Sequence, residues 1–181
     1  MTPSKVEYLN GTDKKGTQLP KHTISVLVAH NLNALSRIIG MFSGRGFDIE
    51  SISFGQGQEP GLARITITTQ GDEQIVEQIT KQLHNVIDVV KVKDLTFEPF
   101  ISRELALVKV SAPPAKRSEI MQIVNVFRAK IIDISTDKLT IEVTGSGDKI
   151  DAAIGLLRQF GLVEVARTGS VALKREYTGD T

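Results

Sequence analysis

The residues best placed to bind a ligand lie in the segment AHNLNALSR, at positions 29–37, where a strand-like run meets a helical one. Asn31 and Asn33 stand where a helix N-cap is expected, because their side chains can accept hydrogen bonds from free backbone amides. A helix that begins directly after a strand presents unpaired N–H groups and a partial positive charge. This turn is therefore predicted to be able to receive a small carboxylate.

Other residue types that could do chemistry are sparse. The chain has no cysteine, which excludes disulfides and thiolate sites, and it has three histidines. His22, His30 and His84 show no metal-binding spacing and stand in no nucleophile motif. We therefore expect no metal or catalytic role for them, and we expect His22 and His84 to be surface residues at element boundaries.

Two glycine-rich stretches resemble phosphate-binding loops only superficially. GQGQEPG, at 55–61, leads into a strand and fits a hairpin connection. TGSGDK, at 144–149, precedes a helix but lacks both the P-loop spacing and the full dinucleotide-binding spacing. The first is interpreted as a turn and the second as a turn with a helix cap, and no nucleotide is assigned.

The charge balance argues against nucleic acid or membrane partners. Lys and Arg number 22 against 21 for Asp and Glu, and both signs are interspersed along the 181 residues. The 40% hydrophobic content supports a packed core, and no apolar run approaches the roughly 18 residues that span a bilayer. We expect a soluble, cytoplasmic, globular protein.

The elements that position the 29–37 turn follow from the hydrophobic periods. Residues 1–21 have no such period and are predicted to be a disordered lead-in. The next 75 or so residues predict the order strand, helix, strand, strand, helix, strand. The strands are 23–29, 48–54, one through Ala63, Ile65 and Ile67 with one face buried, and 87–95 with Val90 and Val92 inward. The helices carry stripes of Leu35, Ile38, Ile39 and Phe42, and of Ile75, Val76, Ile79 and Leu83.

The same order recurs after a predicted link, EPFISR, at 98–103. Its strands are 104–110, 131–135, 139–144 and 163–167, and its helices carry stripes of Ile120, Ile123, Val124 and Phe127, and of Ile150, Ala153, Ile154 and Leu157. The βαββαβ order is the ferredoxin-like motif, in which two helices cover one face of an antiparallel sheet. We therefore predict an α+β protein with tandem ferredoxin-like domains at 22–97 and 98–176 and a tail at 177–181. The second face of each sheet is expected to be open, which favours oligomerisation.

A βαββαβ unit can also be an RNA-recognition domain. RGFDIESISF, at 45–54, superficially resembles the aromatic RNA-stacking motif, but it falls on the second predicted strand, whereas that motif belongs on the third. Asp48 and Glu50 would repel phosphates, so RNA binding is a weak alternative.

Four segments in order carry a family resemblance: ALSRIIGMFSGRGFDIES in the first unit, then RELALVKV, FRAKIIDIS and GLVEVARTGSVALKRE in the second. From about His22 to Glu176 the chain resembles the regulatory small subunit of acetohydroxyacid synthase (acetolactate synthase). The resemblance implies an ACT domain, a small ligand-binding version of this fold, at 22–97 and the family's C-terminal domain after it. It also implies a non-catalytic protein that binds and activates a catalytic large subunit, and that confers feedback inhibition by valine or another branched-chain amino acid. Thiamine diphosphate, Mg and FAD are then expected on the catalytic subunit, and no cofactor on this chain.

The resemblance further implies a homodimer whose ACT sheets join side by side, with the amino acid bound at the interface. The effector-binding residues it implies are His30, Asn31, Leu32, Asn33, Ala34, Leu35, Asp48 and Ile49. Backbone amides near Asn33–Leu35 would hold the carboxylate, Asp48 or nearby carbonyls the ammonium group, and Leu32 and Ile49 the apolar side chain. The second domain, with its exposed sheet face, is a candidate surface for docking the catalytic subunit.

The turn departs from the family pattern, which usually reads close to ENESGALSR or EDEAGVLSR. Asn33 occupies the usual Gly, His30 the usual Asn or Asp, and Asp48 replaces the usual Asn. Asn tolerates part of the backbone freedom of Gly but adds bulk. Two interpretations stay open: an intact branched-chain amino-acid site, or a weakened or retuned site in which Asn33 is a helix cap.

Two other classes of protein stay as alternatives. A stand-alone ACT-type sensor that regulates another enzyme is disfavoured by the motifs of the second unit. An enzyme on a ferredoxin-like scaffold would need an acid/base or nucleophile set, which the sequence does not offer.

Overall fold

The computed structural model describes residues 19–176. Most of the predicted disordered segment 1–21 and the whole tail 177–181 lie outside the described residues, although Lys21 already begins the first strand. The described chain divides into two compact units between Phe97 and Glu98, with Ser51–Ser53 grouped with the second. Each unit contains the βαββαβ order, so the predicted fold class is confirmed.

The first unit is a four-stranded sheet with two helices, in the strand order β2-β3-β1-β4. Its elements are β1 (Lys21–Ala29), α1 (Leu32–Arg45), β2 (Ser51–Gln56), β3 (Leu62–Gln70), α2 (Glu73–His84) and β4 (Val89–Asp94). The central strands β1 and β3 pair antiparallel over their whole length, from Lys21 opposite Gln70 to Ala29 opposite Leu62. The 29–37 turn therefore lies at one end of the sheet, where β1 leaves it.

Helix α1 buries a narrower stripe than the sequence predicted. Ala34, Ile38 and Phe42 are buried, at a spacing of four residues, whereas Ile39 is 42% exposed and that part of the prediction is wrong. The helix ends as predicted at a glycine: Gly46 has a φ of 68°, a conformation that residues with a Cβ adopt at a cost. The following amide, of Phe47, donates to the Phe42 carbonyl at 3.0 Å and closes the helix end.

The second face of this sheet is not open at its centre, contrary to the prediction. Ser25, Thr66 and Thr68 lie there and are at most 4% exposed. Arg64 on the same face donates from Nη1 to Ser25 Oγ at 2.9 Å. Both faces of β3 are thus buried along its middle, and the alternation of Ile and Thr reflects an apolar face and a hydroxyl face.

Strand β4 corrects the predicted inward residues. The pairing of β1 with β4 shifts between Leu27 and Val28, so Val28 lies opposite Val89 rather than continuing the register. Val92 is buried as predicted, but Val90 is 60% exposed. A bulge of this kind moves side chains from one face to the other, and the sequence pattern carries no signal for it.

The second unit repeats the architecture and adds a strand. Its elements are β5 (Phe100–Ser111), α3 (Arg117–Val126), β6 (Lys130–Ile134), β7 (Lys138–Gly145), α4 (Gly147–Leu157), β8 (Leu162–Arg167) and β9 (Val171–Lys174). The order of the main sheet is β6-β7-β5-β8. Its core joins the buried face of β5 and β7 to both helices and includes Val108, Ile120, Ile141, Ile150 and Leu157.

The predicted link at 98–103 is wrong for most of its length. Residues Phe100–Arg103 form the first part of β5 and pair antiparallel with β9, from Phe100 opposite Lys174 to Arg103 opposite Val171. The sequence prediction missed β9 because its partner lies about 70 residues earlier, behind a Glu-Pro pair that suggested a loop.

Candidate functional site

The turn before α1 is short and firmly held. Two residues, His30 and Asn31, connect the end of β1 to the start of α1. The His30 amide donates to the Gly61 carbonyl and the Asn31 amide to the Ala29 carbonyl, both at 2.8 Å. The Asn31 side chain is the N-cap, because its Oδ1 accepts from the Ala34 amide at 2.7 Å. The turn is therefore pre-formed.

This capping decides which amides are free for a ligand. Of the first amides of α1, that of Ala34 is taken by Asn31, and the N-cap carbonyl of an α-helix takes the next one along. Within residues 19–176, no group accepts a hydrogen bond from the Leu32 or Asn33 amide. The donors available to a carboxylate are therefore those two, one position earlier than the sequence analysis placed them.

Asn33 does not cap the helix. It lies inside α1, where its side chain is exposed, and Asn31 fills the cap position. The interpretation of Asn33 as a cap is thus wrong. The Asn33 side chain is exposed and lies beside its own free amide, so it would be next to a carboxylate bound by that amide.

His30 and Leu32 border the same turn. The His30 ring packs against Phe54 of β2, with 5.7 Å between centroids and a tilt of 32°. Leu32 is 77% exposed although it is a large aliphatic residue. The turn thus offers two amide donors next to an exposed apolar side chain, with Leu35 half-buried behind them.

Asp48 and Ile49 lie at the opposite end of the sheet from this turn. They precede β2, which starts at Ser51 rather than at the predicted position 48. The Asp48 carbonyl accepts from Thr69 Oγ1 at 2.6 Å, whereas the turn lies beside Leu62 at the other end of β3. Leu62 and Thr69 are seven residues apart along β3, which is a distance of about 23 Å. One chain therefore does not bring the two predicted halves of the site together.

Strand β2 forms one border of the first sheet. It is the outermost strand in the order β2-β3-β1-β4, and its sequence, SISFGQ, contains no charged residue and no proline. Charges and prolines are the usual means by which border strands avoid pairing with other chains. This border is therefore suited to pairing with another strand.

The histidines separate into different environments. His22 is 2% exposed, which contradicts the predicted surface location. Its Nε2 lies 3.1 Å from the Gly71 carbonyl, and its ring packs against Phe97 at 6.1 Å. Its buried Nδ1 has no hydrogen-bond partner among the described residues. His84 is exposed at the end of α2, as predicted.

Metal binding and a membrane span find no support in the described part of the chain. Between residues 19 and 176, no three His, Asp or Glu side chains are grouped as a metal would require. The helices in that range are all too short or too polar to cross a bilayer. Of the glycine-rich stretches, 57–61 connects β2 to β3 as predicted. The stretch at 144–149 is not a turn, since only Ser146 lies between the end of β7 and the start of α4, and Ser146 makes no side-chain capping bond.

The second unit has an open sheet face with mixed charge. Lys109 of β5 pairs with Glu164 of β8 at 2.9 Å, and Lys130 of β6 lies 3.9 Å from Glu142 of β7. The hydrogen bond between the first two lowers the pKa of Glu164 and raises that of Lys109. Leu107 lies in the middle of this face and is 36% exposed.

The fold and the turn together define a class. Two ferredoxin-like units in tandem, the first with a strand-to-helix turn that leaves amides free, are the features of an ACT-type regulatory protein. Comparison with known proteins gives the family.

Residues 24–91 match the model of the ACT domain of acetohydroxyacid synthase small subunits, and residues 103–176 match the model of the small subunit of acetolactate synthase. The chain is 52% identical to a probable acetolactate synthase small subunit of Methanothermobacter thermautotrophicus, over 85% of this chain and 92% of that one. It is 48% identical to the acetolactate synthase small subunit of Aquifex aeolicus, over 90% and 85%. A crystal structure of the acetolactate synthase small subunit from Thermotoga maritima superposes with a TM-score of 0.80 at 40% identity, covering 88% of this chain and 99% of that one.

The chain therefore belongs to the acetolactate synthase small-subunit family, the non-catalytic regulatory subunits of that enzyme. A small subunit implies a catalytic large subunit as its partner. Residues 103–176 match the small-subunit model, and this match argues against the alternative of a stand-alone ACT-type sensor.

Proposed function

We propose that this chain activates the thiamine-diphosphate-dependent catalytic subunit of acetolactate synthase and makes it sensitive to valine or a related branched-chain amino acid. The observation that carries the effector half of this proposal is the pair of free amides at Leu32 and Asn33, in a turn that Asn31 already holds in shape. A pre-formed site costs little ordering on binding. Thiamine diphosphate, Mg and FAD would be held by the catalytic subunit, in the cytoplasm.

The test is acetolactate formation by the catalytic subunit with and without this chain, across a valine titration. Activation followed by inhibition as valine rises is expected. Activation without inhibition by valine, leucine or isoleucine would remove the effector site and keep the activating role. No activation would contradict the proposed role itself.

We further propose that each effector site is built by two chains, joined as a homodimer through their β2 strands. One chain would supply the Leu32 and Asn33 amides, and the other would supply Asp48 for the ammonium group and Ile49 for the side chain. The separation of about 23 Å between these halves within one chain supports a shared site. The uncharged border strand β2 supports the pairing.

A mixing experiment tests the shared site. Asn33→Asp places a carboxylate beside the free amides and should repel the effector carboxylate, while Asp48→Lys should repel its ammonium group. Calorimetry should show no effector binding to either variant alone. In a shared site, an equal mixture refolded or co-expressed as mixed dimers should recover binding, because each mixed dimer has one undamaged site. No recovery would mean that both halves act within one chain.

The open face of the second sheet is the proposed docking surface for the catalytic subunit. Leu107→Asp on the full chain should abolish activation while effector binding persists. Met121→Asp is the matched control, because Met121 is an exposed aliphatic residue on α3, away from this face. Equal loss of activation in the two variants would argue against this surface.

A further inference from the structure

Asp88 holds two of the elements that form the effector turn. It lies between α2 and β4, and its backbone carbonyl accepts from the Ala29 amide at 2.9 Å, at the point where β1 ends. Its carboxylate accepts from Arg37 Nη1 at 2.6 Å. One residue therefore fixes the end of β1 by its backbone and α1 by its side chain.

Arg37 lies close to the first turn of α1. It lies four residues after Asn33, so both are on the same side of the helix, and helical side chains lean toward the N-terminus. The Asp88 carboxylate is mostly buried, with 17% of the side chain exposed. A mostly buried acceptor of this kind restricts how far the helix start can rotate or slide against the end of β1.

At the other end of α1, a similar side-chain hydrogen bond joins α1 to α2 but does not involve a residue that is bonded to β1. Arg45 Nη2 donates to Gln82 Oε1 at 2.7 Å and joins the last turn of α1 to α2. Gln82 lies within α2 and makes no bond to β1 among the described residues. The two links resemble each other in geometry but differ in whether they reach the turn.

We propose that Asp88 and Arg37 are positioning residues for the amino-acid effector: their ion pair sets the place of the Leu32 and Asn33 amides relative to the end of β1. This inference rests on the proposed effector site. Neither side chain need touch the ligand. Because Arg37 is half-exposed, the pair should contribute a factor of about two to five to effector affinity.

The experiment uses the full chain and measures the dissociation constants of L-valine, L-leucine and L-isoleucine by calorimetry. Arg37→Gln and Asp88→Asn should each raise the constant for the bound amino acid about two- to five-fold. The double variant should be no weaker than the weaker single variant, because both remove one interaction. Arg37→Lys, which keeps the charge, should recover part of the affinity, and the control Arg45→Gln should bind like the unmodified chain.

Amide hydrogen exchange without effector gives a second readout. Exchange at Ala29, whose amide donates to the Asp88 carbonyl, and at Ala34, whose amide donates to the Asn31 side chain, should be faster in Arg37→Gln than in Arg45→Gln. Equal effects of these two variants on affinity, or additive effects of Arg37→Gln and Asp88→Asn, would overturn the proposal. If the unmodified chain binds none of the three amino acids, the proposed effector function fails and this inference fails with it. If that chain binds and Arg37→Gln binds equally well, only this inference fails.

Discussion

Replacing Arg167 by Met should destabilise the second unit more than replacing its second ion-pair partner, Asp151, by Asn. Arg167, at the end of β8, donates from Nε to one oxygen of Glu104 at 2.5 Å and from Nη2 to the other at 3.1 Å. Its Nη1 also donates to Asp151 of α4 at 2.6 Å. The hydrogen bonds to Glu104 raise the pKa of Arg167 further, so the guanidinium stays charged throughout.

The magnitude follows from where the charges lie. The Glu104 side chain is 8% exposed, so removing its partner leaves a carboxylate that water hardly reaches. Breaking a fully buried pair costs roughly 3–5 kcal/mol. The Arg167 side chain is 36% exposed, and water entering the vacated space reduces the expected cost to about 2 kcal/mol. Asp151 is 55% exposed, so Asp151→Asn should cost about 0.5 kcal/mol or less.

Urea unfolding, monitored through amide exchange of β5 residues, measures the difference in unfolding free energy between Arg167→Met and Asp151→Asn in the second unit. Glu104→Leu combined with Arg167→Met should recover most of the loss, because the double change leaves no unpaired buried charge. A cost for Arg167→Met no larger than that for Asp151→Asn would refute the reasoning. So would a double variant as unstable as Arg167→Met alone, since the loss would then come from packing of the Arg stem.

Three other changes have outcomes set by local chemistry. Asn31→Ala removes the α1 cap and should lower the free energy of unfolding by about 1 kcal/mol in urea, while Asn33→Ala, which makes no capping bond, should leave it nearly unchanged. Arg128→Gly should raise it by about 1 kcal/mol, because Arg128 has a φ of 49° after α3, where glycine is favoured; unchanged or lower stability would contradict the strain. The hydrogen bond from Lys109 lowers the pKa of Glu164 in the folded state. The pair therefore stabilises the fold at pH values above the ordinary carboxyl pKa of 4.5, and this stabilisation is lost as the pH falls through the lowered pKa of the folded state. Glu164→Gln should therefore flatten the acid side of the stability curve, and an unaltered curve would exclude the pair as a contributor.

The parts of the fold that the sequence predicted depend on near neighbours in the chain. The caps of α1 at Asn31 and Gly46 involve groups within a few residues, and residue type alone favours them. The two βαββαβ units were predictable for a similar reason, since helical and strand periods are local.

The errors arise where distant residues decide. The location of Val90 depends on a bulge in the pairing of β1 with β4, and β9 depends on a partner in β5. His22 is buried by contact with Phe97 and Gly71, which are 49 or more residues away. No pattern within a short window distinguishes such a histidine from one at the surface.

The proposed effector site shows the same division. Its proposed carboxylate-binding half is local, because it consists of a turn, its cap and two amides, all set by residues close together in the chain. The half at Asp48 and Ile49 is about 23 Å away in the same chain, so no local argument can join the two. If two chains share each site, an effector bound there contacts both, and it stabilises whichever dimer arrangement brings Asp48 of one chain closest to the free amides of the other. Only such a difference in affinity between arrangements can change what the catalytic subunit experiences. Regulation by this chain would then require the dimer itself, and diluting the chain to monomers should remove feedback inhibition.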